Sequence, residues 1–172
     1  MAANSPKTVL HDSDLPDSGT SDAAKLIAAN INPRTGLATD YLNHFNEAIM
    51  LLEMIPDMPE CAADFLEWQP LSYREHFQAS NFKARELAIA AYESADDAIR
   101  AEFDNITGAM TSILSAVGAA MRDAHQDKTR IALAEQATGW VKPLATLAGG
   151  IIHGPGVGAG PDVDYIMTHK LP

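Results

Sequence analysis

At 172 residues the chain is long enough for one domain that buries its own apolar core without disulfides. Its formal net charge of −11, from 12 Lys and Arg against 23 Asp and Glu, would repel the phosphates of nucleic acids and of anionic membranes. The single cysteine, Cys61, excludes an internal disulfide bond and a cysteine-rich zinc site.

The first 20 residues are rich in Ser, Asp and Pro and poor in large apolar side chains, which predicts a mobile tail. They lack the apolar segment of a secretory signal, and the later uncharged stretches are too short or too interrupted by Gly and Pro to span a bilayer. We therefore expect a cytoplasmic protein that binds neither membranes nor nucleic acids. A short helix is predicted from Ser21 to Ala29, and the sequence NPRTG at 32–36 then predicts a turn.

An apolar helix is predicted from about Leu37 to Ile55. At about 100° per residue, one stripe of this helix is apolar and should face the core. The members of that stripe are Tyr41, Phe45, Ala48, Leu52 and Ile55. Met50 and Met54 make the opposite side apolar too, so we expect the C-terminal half of the helix to be buried on two faces.

Capping patterns predict the starts of the next helices. Asp57 with Glu60 predicts a helix through Trp68, and Ser72 with Glu75 predicts another through about Ala79. A further helix is expected over 81–92. Ser94 with Asp97 has the same spacing and precedes a long helix over 96–124.

A second long helix is predicted over 128–152, kinked or divided near Gly139 and Pro143. The Gly- and Pro-rich residues 153–172 predict an extended C-terminal arm that could dock on a groove of this protein or of a partner. No window alternates polar and apolar residues as a strand would. The predicted fold is therefore an all-α, single-domain bundle of six or seven helices over 21–152.

Acidic and imidazole side chains meet on one edge of the 37–55 helix. Asp40, His44 and Glu47 lie at i, i+4 and i+7, and Glu75 with His76 lies on a nearby predicted helix. Such a set could hold one or two transition-metal ions, as paired His and carboxylate ligands do in helical bundles. Two alternatives remain open: these residues form the polar edge of a core helix, or His44 transfers protons or contacts a ligand.

Small residues recur on the first long helix at steps of four, three and four. These are Gly108, Ser112, Ser115 and Ala119. A stripe of this kind lets another helix approach closely and gain dispersion contacts. The other helix could belong to the same bundle or to a second molecule.

From these features we expect a non-enzymatic helical adaptor or regulatory subunit that works through protein–protein contacts. Its partner would be another protein or a second copy of the chain in a homodimer. The alternative is a helical bundle that binds a metal or a small ligand on the 37–55 helix. Trp140 is expected to be a core or rim anchor. Cys61 lies just after a predicted helix start, where the helix dipole would lower a thiol pKa. The sequence offers no partner cysteine or histidine beside it, so we expect a buried structural thiol.

Overall fold

The computed structural model describes residues 18–155, and most of them are helical. The prediction of an all-α bundle with two long helices in its C-terminal half is confirmed. In the described range the helices are α1 (Ser18–Ala28), α2 (Tyr41–Met54), α3 (Cys61–Glu67), α4 (Tyr73–Ala79), α5 (Arg85–Glu93), α6 (Asp97–Asp123) and α7 (Asp127–His153). Most of the predicted tail, 1–20, and of the predicted arm, 153–172, lies outside the described residues.

The two long helices form an antiparallel hairpin joined by residues 124–126, and they make the most extensive helix contact in the structure. Asp96 caps α6, because its carboxylate accepts from the backbone N–H groups of Ala98 and Ile99. The predicted cap at Ser94 is therefore wrong. α7 runs through Pro143 as one helix, so the predicted division there is wrong as well. Between residues 18 and 155, no helix is both long and apolar enough to cross a membrane.

α2 lies at the centre of the bundle and packs against α7, α3 and α4. The predicted apolar stripe is buried as expected; its members are Tyr41, Phe45, Ala48, Leu52 and Ile55. On the second apolar side the prediction is wrong for Met50, which is 54% exposed, whereas Met54 is partly buried and packs against the core. Ile49 is buried instead, which widens the core-facing side.

The short helices cover one side of α2, and only some of their predicted caps form. At α4 the Ser72 hydroxyl accepts from the Glu75 N–H while the Glu75 carboxylate accepts from the Ser72 N–H, which is the predicted capping box. At α3 the Asp57 cap is wrong. That helix begins at Cys61, and its N-cap residue, Glu60, makes no side-chain capping bond.

The turn at 32–36 ties the start of the bundle to the end of α7. The Thr35 hydroxyl donates to the Ile152 carbonyl at 2.7 Å, and the Asn32 amide donates to the His153 carbonyl at 3.1 Å. These bonds satisfy carbonyls that have no partner within the helix. Gly36 has φ +72°, and a Cβ there would lie 2.7 Å from the Ala91 carbonyl oxygen, so the close approach of α5 requires glycine.

Tyr73→Phe tests a buried bond that joins α4 to the segment before α2. The Tyr73 hydroxyl accepts from the Ala38 N–H at 2.9 Å, and both residues are buried. Removing the hydroxyl leaves that N–H without a partner, so we expect urea unfolding to show a loss of about 1–3 kcal/mol. Tyr92→Phe is the control, because its hydroxyl bonds the exposed Asp104 carboxylate, and it should lose less. Equal losses in both variants would contradict this assignment.

Candidate functional site

The predicted polar cluster on α2 is centred on His44, which is only 7% exposed. Its Nε2 accepts a hydrogen bond from the Leu71 N–H at 3.0 Å, so the neutral ring carries its proton on Nδ1. The ring also stacks on Trp68, with 4.6 Å between ring centroids. His44 is thus held by two residues of the segment that joins α3 to α4.

Two further bonds fix the same segment on α2. The Trp68 indole N–H donates to the His44 carbonyl at 3.0 Å, and the Tyr41 hydroxyl donates to the Leu71 carbonyl at 2.8 Å. Together with the His44–Leu71 bond, they attach residues 68–71 to a single turn of α2. In this geometry His44 has a structural role, because it fixes the connection between α3 and α4 on α2.

The structure brings some of the other predicted site residues to this place. Asp40 Oδ2 lies 3.0 Å from His76 Nε2, and the His44 and His76 ring centroids are 5.9 Å apart. Glu47 lines a shallow depression of about 260 Å³ together with the two imidazoles. The Glu75 carboxylate is engaged in the capping box of α4.

Burial controls the protonation of His44. It lowers the pKa of this imidazole from its usual 6.5 to about 4, and the nearby His76 adds to the shift. A protonated ring would also lose the lone pair with which Nε2 accepts from Leu71. Both effects keep His44 neutral in the folded protein near neutral pH.

The arrangement of the imidazole and carboxylate groups bears directly on the metal-binding hypothesis. Among residues 18–155, no three or more His, Cys, Asp or Glu side chains are arranged to hold a metal ion. Each imidazole already uses its Nε2, on the Leu71 N–H for His44 and on Asp40 for His76. A metal ion bound here would have to displace one of these bonds or use the Nδ1 atoms.

Cys61 is buried at the first position of α3. Burial raises the pKa of its thiol, and the carboxylates of Asp64 and Glu60 raise it further. The predicted buried thiol is confirmed, and its pKa is raised, not lowered as the helix dipole alone would favour. The geometry describes a packed thiol.

The small-residue stripe on α6 faces solvent. Gly108, Ser112, Ser115 and Ala119 are all exposed, and a Cβ added at Gly108 would meet no atom within 4 Å. None of the described helices covers this stripe, so a neighbour from the same bundle does not explain it. The opposite side of α6 faces the core through the buried residues Phe103, Met110, Leu114, Val117 and Met121.

The exposed edge of α7 beside α6 is apolar. Trp140 is 52% exposed and Leu147 is 55% exposed, and they lie two turns apart with Pro143 between them. Gly149 and Lys142 face α2 instead, through the Leu42 side chain and an ion pair with Glu53. We call these two exposed surfaces of the hairpin, the α6 stripe and this α7 edge, the outer hairpin face.

The outer hairpin face has almost no charge. No residue of α6 from Asn105 to Met121 is charged, and from Gln136 to Ile152 only Lys142 is, which points to α2. Reasoning from sequence missed the α7 edge. The feature that could have indicated it is a second stretch almost without charge, on the helix next to α6, in a chain that is otherwise acidic.

A charged residue stands at each end of the α6 stripe. Asp104 accepts from the Tyr92 hydroxyl at 2.7 Å and borders an open cavity of about 480 Å³ beside Gly108. Arg122 donates to the Leu66 carbonyl at 3.3 Å. Within residues 18–155, neither of them forms an ion pair.

No protein-family model, curated protein or solved structure matches this chain. The chain has two candidate functional sites. One is the His44 cluster, whose imidazoles are engaged in bonds within the fold. The other is the outer hairpin face, which is exposed and apolar.

The low pKa of His44 predicts acid sensitivity with a defined sign. Between about pH 6.5 and pH 4 the unfolded chain takes up a proton that the folded chain does not, so the free energy of unfolding falls as pH falls through this window. The full shift corresponds to at most about 3 kcal/mol. Urea unfolding at about pH 7, 5 and 4 should show a steeper loss for the natural protein than for His44→Gln.

His153→Gln is the matched control, because His153 is exposed. This variant should keep the steep pH dependence of the natural protein. Identical slopes for the natural protein and His44→Gln would show that His44 does not carry the effect.

Proposed function

We propose that this protein is a cytoplasmic, non-enzymatic helical adaptor or regulatory subunit that works through protein–protein contacts at the outer hairpin face. The observation that carries this proposal is an exposed, charge-free face on a protein whose net charge is −11. Charged residues are depleted at the centres of protein interfaces, and aromatic residues are enriched there. Large exposed apolar surfaces on folded proteins often mark interaction sites.

The two helices would contribute different parts of the contact. On α6 the small residues allow the backbone of a partner helix to approach closely, which maximises dispersion contacts. On α7 Trp140 and Leu147 offer large side chains that a partner could enclose. A buried Trp is among the residues that most often dominate binding energy.

The face is built on two long helices that pack against each other, as an interface scaffold requires. α6 and α7 are 27 residues each, and they pack along their lengths with a buried core beneath them. Binding would therefore cost little ordering of the backbone, and most of the contact energy would appear as affinity.

A photo-crosslinking amino acid at Ser112 of the full chain tests this proposal in the cells that make the protein. We expect a discrete crosslinked product that contains a second polypeptide, and we expect Ala119→Glu to abolish it, because a buried carboxylate without a partner is costly. Mass spectrometry of the product identifies the second polypeptide. No product at Ser112 under conditions that label other proteins would contradict the proposal.

Ala90 supplies the matched control, because it is also an exposed alanine on a helix but lies on α5. The crosslinker placed at Ala90 should give no such product, and Ala90→Glu should leave the Ser112 product intact. Loss of the product in both Glu variants would indicate a general effect of added charge.

The second candidate is a bundle that binds a metal or a small ligand at the His44 cluster. The observation in its favour is that His44, Glu47 and His76 line one depression. Elemental mass spectrometry on untagged protein separates the candidates. Near-stoichiometric metal that His44→Ala loses would favour this second function, whereas metal-free folded protein would leave His44 with its structural task.

A further inference from the structure

We propose that the partner at the outer hairpin face is a second copy of this chain. The two copies would dock antiparallel along α6, with Arg122 of each entering the cavity beside Asp104 of the other. This inference rests on the contact function proposed above and names its partner. It depends on the spacing of the exposed α6 residues, on the charges at their two ends and on the cavity.

The exposed residues of α6 follow a heptad pattern over three repeats. Successive steps of four and three residues connect Ala101, Asn105, Gly108, Ser112, Ser115, Ala119 and Arg122, and all seven are exposed. A repeat that averages 3.5 residues keeps one seam of a helix facing a partner helix along its whole length. The seam is about 30 Å long at 1.5 Å per residue.

This seam is complementary to itself when two copies run antiparallel. With Ser112 opposite Ser115 of the second copy, Gly108 lies opposite Ala119 and Asn105 lies opposite Arg122. Every pair in the middle of the seam joins small residues, so the two helices can approach closely. The same register brings Arg122 of the second copy next to Asp104.

The end charges decide between the two orientations. In a parallel pair Asp104 would meet Asp104 and Arg122 would meet Arg122, and both contacts would be repulsive. In the antiparallel pair each Asp104 meets an Arg122, twice by symmetry. The intervening residues carry no charge, so close approach is not opposed at the seam, although each copy has a net charge of −11.

The cavity beside Asp104 suits a guanidinium group. Its lining includes Asp104 and Thr111, whose side chains carry oxygen atoms, together with Tyr92 and Gly108. These oxygens can accept hydrogen bonds from the five N–H donors of an arginine. No Lys or Arg of the described chain lines the cavity, whose volume of about 480 Å³ leaves room for the side chain.

The size of the face agrees with a modest dimer. The exposed seam of α6 is about 30 Å long and about 10 Å wide, which is roughly 300 Å² per copy. Stable interfaces bury about 800 Å² per partner, so we expect an equilibrium between monomer and dimer.

A charge swap measured by sedimentation velocity tests this register. Over about 1–200 µM, the natural full chain should shift from monomer to dimer. Asp104→Arg or Arg122→Asp alone should raise the dimer Kd at least tenfold, because each creates two like-charge contacts. The double variant Asp104→Arg with Arg122→Asp should restore dimerisation to within a few-fold.

Both residues are exposed, so we expect each variant to fold. Circular dichroism on each variant checks that its helices persist. Asp104→Asn keeps a hydrogen-bond acceptor for Tyr92 and should also weaken the dimer. This variant tests the contact with Arg122 in case the charge-reversal variants lose helical structure. A chain that stays monomeric to about 200 µM would overturn self-association. A dimer that tolerates both single charge variants would overturn the antiparallel register.

The crosslinking experiment distinguishes this failure from a failure of the proposed function. A Ser112 product with twice the chain mass agrees with a second copy. A discrete product with a different protein, together with a monomeric chain, would overturn self-association and leave the contact function standing. Monomeric chain with no crosslinked product would contradict both.

Discussion

Burial of α2 constrains most of the structure around it. Its apolar stripe requires cover from α7 on one side and from α3 and α4 on the other, and the covering chain must satisfy the polar groups that are buried with it. His44 meets this requirement for the connection between α3 and α4, because its ring and its carbonyl both bond that segment. The position of α4 then follows, and with it the Tyr73 bond to Ala38 that closes the segment before α2. A residue that looks like a metal ligand in the sequence is therefore part of the packing.

Local sequence patterns predicted the helices well. Hydrogen bonds between residues far apart in the sequence could not be predicted. The α2 stripe follows from periodicity alone, and the Ser72–Glu75 cap is an interaction across three residues. The Ser94 cap failed because Asp96 competes for the same helix start, and spacing does not rank two nearby candidates. The bond between His44 and Leu71 joins residues 27 positions apart, and the helical wheel of α2 contains no information about it.

The small-residue stripe of α6 could be predicted from the sequence, but its exposure to solvent could not. The steps of four and three between small residues are visible in the sequence. Which side of α6 faces the core depends on how its large residues, such as Phe103 and Met121, fit against α7 and α3. Alanine and glycine suit a buried helix contact and an exposed surface almost equally, so composition does not decide between them. Trp140, expected as a core or rim anchor, is half-exposed and therefore lies at the rim and not in the core.

The bonds between the 32–36 turn and the end of α7 affect the order in which the chain can assemble during synthesis. Thr35 is made 117 residues before Ile152, whose carbonyl it binds. At the usual rate of translation this interval is on the order of ten seconds. During that time the side of α2 that α7 will cover has no partner from its own chain. The nascent protein therefore exposes its central helix until nearly all of the described residues have left the ribosome, and this is the period in which a chaperone would have most to bind.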